Sequence, residues 1–420
     1  MQRLSTLAPA MGRALLVMGS MCVLIAPAMA GQSQPDRTAP ALDGERVEAL
    51  RAFLETQTAP GRYTGAVSLI AVDGRIVERR AYGAADLART KPMHPDAIFR
   101  IYSMTKPITS VAALMLAEQG KLDLDDPVSR FLPEFADLQC RCAVEHPRPT
   151  LRHLLTHTAG FATHPENADA AERLRAAAPD EAATLAEYAH RVAQAPLAEA
   201  PGTHFHYDGV NTQVLARVIE VASGQSLEAF LRERIFVPLR MRDTGFEVPV
   251  AVRTRVVDLT TVREGALALA DTASAREPGS RLSRYDNGAG GLYSTLDDYY
   301  RFAQMLANGG ELEGVRVLSA RSVDEMMSDQ LPRLSPSLEG AGPGEGFGLG
   351  GYVVTDVARR GRLGSIGQFG WSGSASTYFT VDRSRKLVAI LMAQHLPGDD
   401  PSELPRLSVP FFNHVYRMLP

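Results

Sequence analysis

The sequence predicts an α+β fold: one antiparallel sheet assembled from both ends of the chain, flanked by an N-terminal and a C-terminal helix, with a mainly helical domain inserted between. Three observations predict it. Two alternating runs, Gly65 to Val72 and Arg75 to Tyr82, meet at Asp73-Gly74, a dipeptide suited to a tight hairpin. Near the other end, Ser376 to Val381 and Leu387 to Gln394 read as adjoining strands across the Asp382 to Lys386 turn. Between these pairs the pattern is of helices and loops, so the sheet domain is expected at 43–100 and 286–420 and the helical domain at 101–285.

The first segment lies outside that fold. Arg3 and Arg13 form a basic region, Ala14 to Ile25 an apolar core and Ala28-Met29-Ala30 a cleavage site, so residues 1–30 read as a secretory signal peptide. The apolar core is short for a membrane span, and Ser20-Met21 before Cys22 lacks the small residue a lipoprotein cleavage site needs. Export to the periplasm or medium is the expectation, with no stable membrane insertion once the leader is cleaved. Residues 31–42, polar with Pro35 and Pro40, read as a flexible lead. The formal net charge of −4 excludes a basic nucleic-acid footprint.

The elements follow in order. A helix from Gly44 to Gln57 carries Val47, Leu50 and Leu54 at helical spacing. After the first hairpin, Ile108 to Ala117 is apolar around most of a helix circumference and ends at Gly120, which marks a helix enclosed by protein. Leu122 to Val128 makes a turn into a short helix, and Cys140-Arg141-Cys142 is a loop feature whose cysteines either pair, closing a small loop, or stay free. Thr150 to Ala159 reads as a helix bearing His153 and His157 at a spacing of four, but without the glutamate of a zinc-protease motif, so the two are read as structural. No second Cys-His cluster is present, and neither a metal nor a cofactor is expected.

Ala170 to Ala195, alanine-rich and charged, reads as a surface helical region. Gly288 to Thr295 is a glycine turn entering a capped helix, Leu296 to Ala307. Ala341 to Gly351 holds six glycines and is expected to be a mobile loop bordering a site. A last helix, about Leu404 to Tyr416, should pack on the sheet.

Chemistry concentrates where the buried helix begins. Ser103-Met104-Thr105-Lys106 sets a hydroxyl and an amine three residues apart, on one face of a helix. Only four of the 44 basic residues are lysine, and Lys106 alone has a serine three positions before it. A lysine can lose its proton where an arginine cannot, which is what a catalytic base requires. Ser103 would stand at the positive end of the helix, where unpaired backbone N–H groups can face an oxyanion.

Four motifs in register then carry a resemblance: Ser103-Met104-Thr105-Lys106, Leu154-Leu155-Thr156-His157-Thr158-Ala159-Gly160, Pro201-Gly202-Thr203-His204-Phe205-His206-Tyr207 and Gly370-Trp371-Ser372-Gly373. Over about residues 43–418 the chain resembles the serine beta-lactamase-like superfamily of class C beta-lactamases, D-alanyl-D-alanine carboxypeptidases and family VIII carboxylesterases. The resemblance implies that Ser103 is the acylated nucleophile, Lys106 its proton acceptor and Tyr207 a proton relay. It implies that Trp371, Ser372 and Gly373 flank the substrate, and that the N–H of Ser374 joins that of Ser103 in an oxyanion hole. His204 and His206 match no catalytic position.

Departures from the family pattern bear on the substrate. Trp371 stands where lactam-cleaving members carry the lysine of Lys-Thr-Gly, and Gly209 stands where they carry an amide-binding asparagine, with Asn211 just beyond. Losing a charge-assisted contact weakens recognition of anionic lactams and peptidoglycan stems. Trp-x-Gly resembles the family VIII esterases, and the absence of Gly-x-Ser-x-Gly removes an α/β-hydrolase nucleophile elbow. The expected activity is therefore hydrolysis of small-molecule carboxylic esters of short to medium acyl chain. A beta-lactamase or D-alanyl peptidase of the same fold, and a non-turnover sensor, are the alternatives.

Overall fold

The computed structural model describes residues 42–142, 148–161, 168–335, 338 and 340–419. The expected leader, and the lead except for its last residue, lie outside the described residues. Asp43 accepts from the N–H groups of Glu45 and Arg46 and caps α1 (Gly44–Gln57). β1 (Gly65–Val72) and β2 (Arg75–Gly83) form the expected hairpin, with Asp73 at φ 51° and Gly74 at φ 74°, as a two-residue turn of the I′ type demands. Next come α2 (Thr105–Glu118), α3 (Leu151–Leu155), α4 (Ala168–Ala177), α5 (Leu185–Val192), α6 (Val210–Ser223) and α7 (Leu296–Ala307). The chain closes with β3 (Glu345–Phe347), β4 (Tyr352–Val354), β5 (Phe369–Gly373), β6 (Thr377–Asp382), β7 (Leu387–Ala393) and α8 (Ser408–Met418).

The seven strands make one sheet in the order β2-β1-β7-β6-β5-β4-β3, every neighbouring pair antiparallel. Its strands come from the two ends of the chain, as the two hairpin signals predict. Central strands are apolar on both faces because both are covered. Ile70 of β1 and Leu391 of β7 pack with Leu54 of α1 and Phe411 of α8. Val67 and Ile390, one pleat away, face the other layer with Phe302 of α7 and Val111 of α2. Burial on both sides explains why β7 reads Leu-Val-Ala-Ile-Leu-Met-Ala rather than alternating.

The structure corrects four local expectations. The helix predicted over Thr150 to Ala159 stops at Leu155, and His157 follows at φ 56°. Thr156 turns its hydroxyl onto the Arg152 carbonyl and meets the Thr158 hydroxyl at 2.9 Å, side-chain bonding that competes with helix continuation. The Ala170 to Ala195 region is two helices, and α5 buries Leu185, Tyr188 and Val192. Part of the six-glycine stretch is the edge strand β3, held where Glu345 accepts from Arg360 at 2.6 Å and from Arg362. The last helix starts at Ser408 rather than Leu404, because Pro405 biases the residue before it away from helix. Cys140 and Cys142 are disulfide-bonded.

Candidate active site

The position of Ser103 is set by a short strand pair. Ile98–Arg100 pairs with Tyr293–Thr295, and Ile101 N–H continues the contact to the Leu292 carbonyl at 3.0 Å. Beneath it Arg100, fully buried, donates to the Val257 and Ser274 carbonyls and the Gln394 side chain, tying three distant segments together. The backbone then swings through Tyr102 at φ 41°, an uncommon conformation for a bulky residue, into a single 3-10 turn, Tyr102–Met104, that presents Ser103. Such strain persists only where the surroundings over-determine it. Here Tyr299 donates to the Met104 carbonyl at 2.9 Å, and Leu292 N–H donates to the Thr105 hydroxyl at 3.3 Å. On the other side β5 comes so close that a Cβ on Gly373 would stand 2.3 Å from the Ile101 carbonyl oxygen. Only glycine permits that approach.

Lys106 lies in the first turn of α2, a helix buried continuously from Thr105 to Leu116. Its Nζ stands 3.2 Å from Ser103 Oγ and donates to the Ala289 carbonyl at 2.8 Å. The residue is 3% exposed and its Nζ lies 4.8 Å from the centre of the Tyr207 ring. Among the described residues no carboxylate pairs with it, so its partners are a hydroxyl, a carbonyl and a π face.

Tyr207 comes from a loop that docks edge-on against the segment after α3. Ala198 N–H reaches the Gly160 carbonyl, Gly202 N–H the Thr158 carbonyl and His206 N–H the His157 carbonyl, at 2.9, 2.8 and 2.9 Å. The second and third resemblance motifs are therefore one structural unit. Across the cleft Trp371, from β5, donates its indole N–H to the Tyr207 hydroxyl at 3.1 Å, with ring centres 4.7 Å apart. Phe347 of β3 stands edge-on to Trp371 at 5.2 Å, so the glycine-rich stretch borders the site with an aromatic ring.

The structure thus brings Ser103, Lys106, Tyr207 and Trp371 together. Gly373 lies against the turn before Ser103, while Ser372 and Ser374 are exposed at the end of β5 and in the turn after it. His204 and His206 both approach the Glu199 carboxylate, at 3.1 and 3.2 Å. His153 and His157 do not form a pair. His153 Nδ1 accepts from Thr150 N–H within a capping box, and His157 Nδ1 accepts from Asp208 N–H. Burial, and then the charge of Lys106, hold the His157 pKa well below its ordinary value. Among the described residues no group of three histidine, cysteine or acidic side chains is arranged to hold a metal ion. Sequence reasoning missed the carbonyl of Ala289 as the anchor of Lys106, although the glycines around it signalled a close turn.

A serine hydroxyl beside a buried lysine amine, with a tyrosine ring against that amine, is the arrangement of a serine hydrolase of the Ser-x-x-Lys kind. The family model described as Beta-lactamase matches residues 50–408, and the chain belongs to that family. Esterase EstB of Burkholderia gladioli is 34% identical over 379 residues, covering 85% of this chain and 93% of that protein. Protein Rv1367c of Mycobacterium tuberculosis is 33% identical over 362 residues, 80% of this chain and 87% of its own length. Among solved structures, EstCE1, described as a hydrolase with promiscuous acyltransferase activity, superposes with a TM-score of 0.74 at 25% identity, covering 88% of this chain and 98% of its own.

Proposed function

We propose that the protein is an exported serine esterase that cleaves carboxylic esters of short to medium acyl chain through an acyl-enzyme on Ser103. The observation that carries this reading is Trp371. A neutral indole, engaged with the Tyr207 hydroxyl, fills the place where a lactam-cleaving member would offer a cation to its substrate's carboxylate. Asn211 supports it: it is buried, and its backbone and side-chain N–H groups donate to Asp208 at 2.9 Å, so those donors are used locally. The likeness to an esterase over most of the chain points the same way.

In this reading Lys106 takes the Ser103 proton while Oγ attacks the ester carbonyl. The N–H groups of Ser103 and Ser374 receive the oxyanion, each worth about 3 kcal/mol in the transition state. Collapse breaks the bond to the alcohol, whose oxygen takes a proton passed through Tyr207. Water then attacks the acyl-enzyme, giving a proton to the same relay, and as the bond from the acyl carbon to Ser103 Oγ breaks the relay returns a proton to Oγ and the acid leaves.

The test pairs p-nitrophenyl butyrate with a chromogenic cephalosporin, on the mature protein and its Ser103→Ala variant. Ester turnover that vanishes with Ser103 and little lactam opening is expected; fast Ser103-dependent lactam opening refutes the ester reading. Export rests on the leader motif, and an N-terminus retaining residues 1–30 on the recovered protein would count against it.

A further inference from the structure

We propose that His157 is a positioning residue for Tyr207, acting through the lone pair on its Nδ1. The inference rests on the reading of Tyr207 as proton relay and concerns what holds that relay in place.

Tyr207 is 39% exposed and belongs to a loop, so its hydroxyl has no rigid element of its own to aim it. Both peptide N–H groups next to it in sequence end on one residue. His206 N–H donates to the His157 carbonyl at 2.9 Å, and Asp208 N–H donates to His157 Nδ1 at 3.3 Å. The chain on either side of Tyr207 is pinned to the same backbone-plus-imidazole clamp. His157 reaches both because it sits at φ 56°, a left-handed conformation in which histidine, asparagine and aspartate are enriched over other non-glycine residues.

The ring is placed as well as the lone pair. Its centre lies 4.7 Å from that of Tyr207, and 5.3 Å from that of Phe347, which stands edge-on. An Nδ1 that accepts from a backbone N–H must carry a lone pair, which puts the proton of the neutral ring on Nε2. Protonating Nδ1 would break the bond to Asp208 and bury a cation close to Lys106, whose Nζ lies against the same Tyr207 ring. Deep burial and Lys106 both oppose that proton. His157 thus serves the tyrosine only in its neutral form, and the structure keeps it neutral.

The consequence is kinetic. A relay tyrosine must sit within hydrogen-bond reach of the group it protonates, and a misplacement of about 1 Å costs on the order of 100-fold in rate. A merely packed histidine would instead affect stability and leave the turnover of folded protein alone.

Two substitutions separate the ring from its lone pair. His157→Phe keeps the ring and removes the acceptor. His157→Asn places Oδ1 where Nδ1 stands and tolerates the left-handed backbone. Each is made in the wild type and in Tyr207→Phe, and kcat and KM for p-nitrophenyl butyrate are measured well below each unfolding midpoint. His157→Phe is expected to lower kcat about 30-fold with KM within about 2-fold, and His157→Asn to stay within about 3-fold of wild type. In the Tyr207→Phe background, His157→Phe should add less than about 2-fold, because its effect passes through that hydroxyl. Wild-type kcat in His157→Phe, equal losses in Phe and Asn, or a full further loss on top of Tyr207→Phe each overturns the proposal. Undiminished kcat in Tyr207→Phe alone overturns the relay reading itself, an outcome distinct from the other three.

Discussion

Trp371 and Tyr207, 164 positions apart in sequence, meet through an indole N–H that donates to a phenolic oxygen at 3.1 Å. The pair sets neutral aromatic surface beside Lys106, the neighbour of Ser103. Trp371→Phe keeps that surface and deletes the donor. A net hydrogen bond of about 1 kcal/mol predicts a fall in kcat of about 5-fold with KM little changed. Trp371→Lys should shift preference towards carboxylate-bearing substrates, read as the ratio of kcat/KM for a succinate half-ester over butyrate. An unchanged ratio would place Trp371 outside the substrate's path.

Lys106 has a hydroxyl, a carbonyl and a π face as its partners, and methionine reproduces most of its shape. Lys106→Met should lower kcat by at least about 1000-fold, since proton transfer to a positioned base contributes roughly 100- to 10,000-fold. The fold should survive, because the substitution leaves no buried carboxylate behind. Near-wild-type turnover in Lys106→Met would remove it from the chemistry.

Acid should destabilise the protein through His153. Burial, with a smaller push from Arg152, lowers its pKa to about 4, against the nearby charge of Asp125. A depressed histidine pKa contributes stability that is fully present above the unfolded value of about 6.5 and is lost as pH falls towards 4. Over the span from pH 6.5 to 5 the loss is about 1.5 kcal/mol. His153→Gln keeps a side chain that can complete the capping box with Thr150 but takes up no proton, so its urea midpoint should fall less between pH 7.5 and 5 than the wild type's. Parallel pH dependences would show that His153 does not carry the effect.

Asp298, at the start of α7, has the opposite sign. Burial raises its pKa to about 6, although Asp243 N–H and the Thr244 hydroxyl both donate to one of its oxygens at 2.7 and 2.9 Å. A raised carboxyl pKa means that the folded state holds the proton more tightly, so stability falls as pH rises from about 4 to 6. Asparagine can accept both bonds with its single oxygen and carries no charge. Asp298→Asn should therefore gain stability over wild type as pH rises through that window, by on the order of 1 to 3 kcal/mol at pH 8. A difference independent of pH would rule the titration out.

Both hairpin signals and the Ser103-x-x-Lys106 pair are legible in the sequence because each depends on neighbours in the chain. Asp73-Gly74 accepts two positive φ angles whatever surrounds it, and Ser103 and Lys106 are brought to one side by a helical turn. The over-long helix at Thr150 to Ala159 shows where such reasoning stops. Its local pattern allows the helix to run on past Leu155, but the carbonyls of His157, Thr158 and Gly160 are used by the loop carrying Tyr207. That loop lies some forty residues away in sequence, and no local preference encodes the competition.

From its sequence alone, then, this protein declares its sheet-forming ends, its buried helix and the pairing of Ser103 with Lys106 at the start of that helix, since hydrophobic period and i, i+3 geometry act over a few residues. Tertiary structure alone decides that Ala289 anchors the lysine, that Trp371 touches the tyrosine, and that His157 grips the chain on both sides of it. Those contacts span 183, 164 and about 50 positions, and they exist only because packing of the sheet and helices brings separate loops within hydrogen-bond distance.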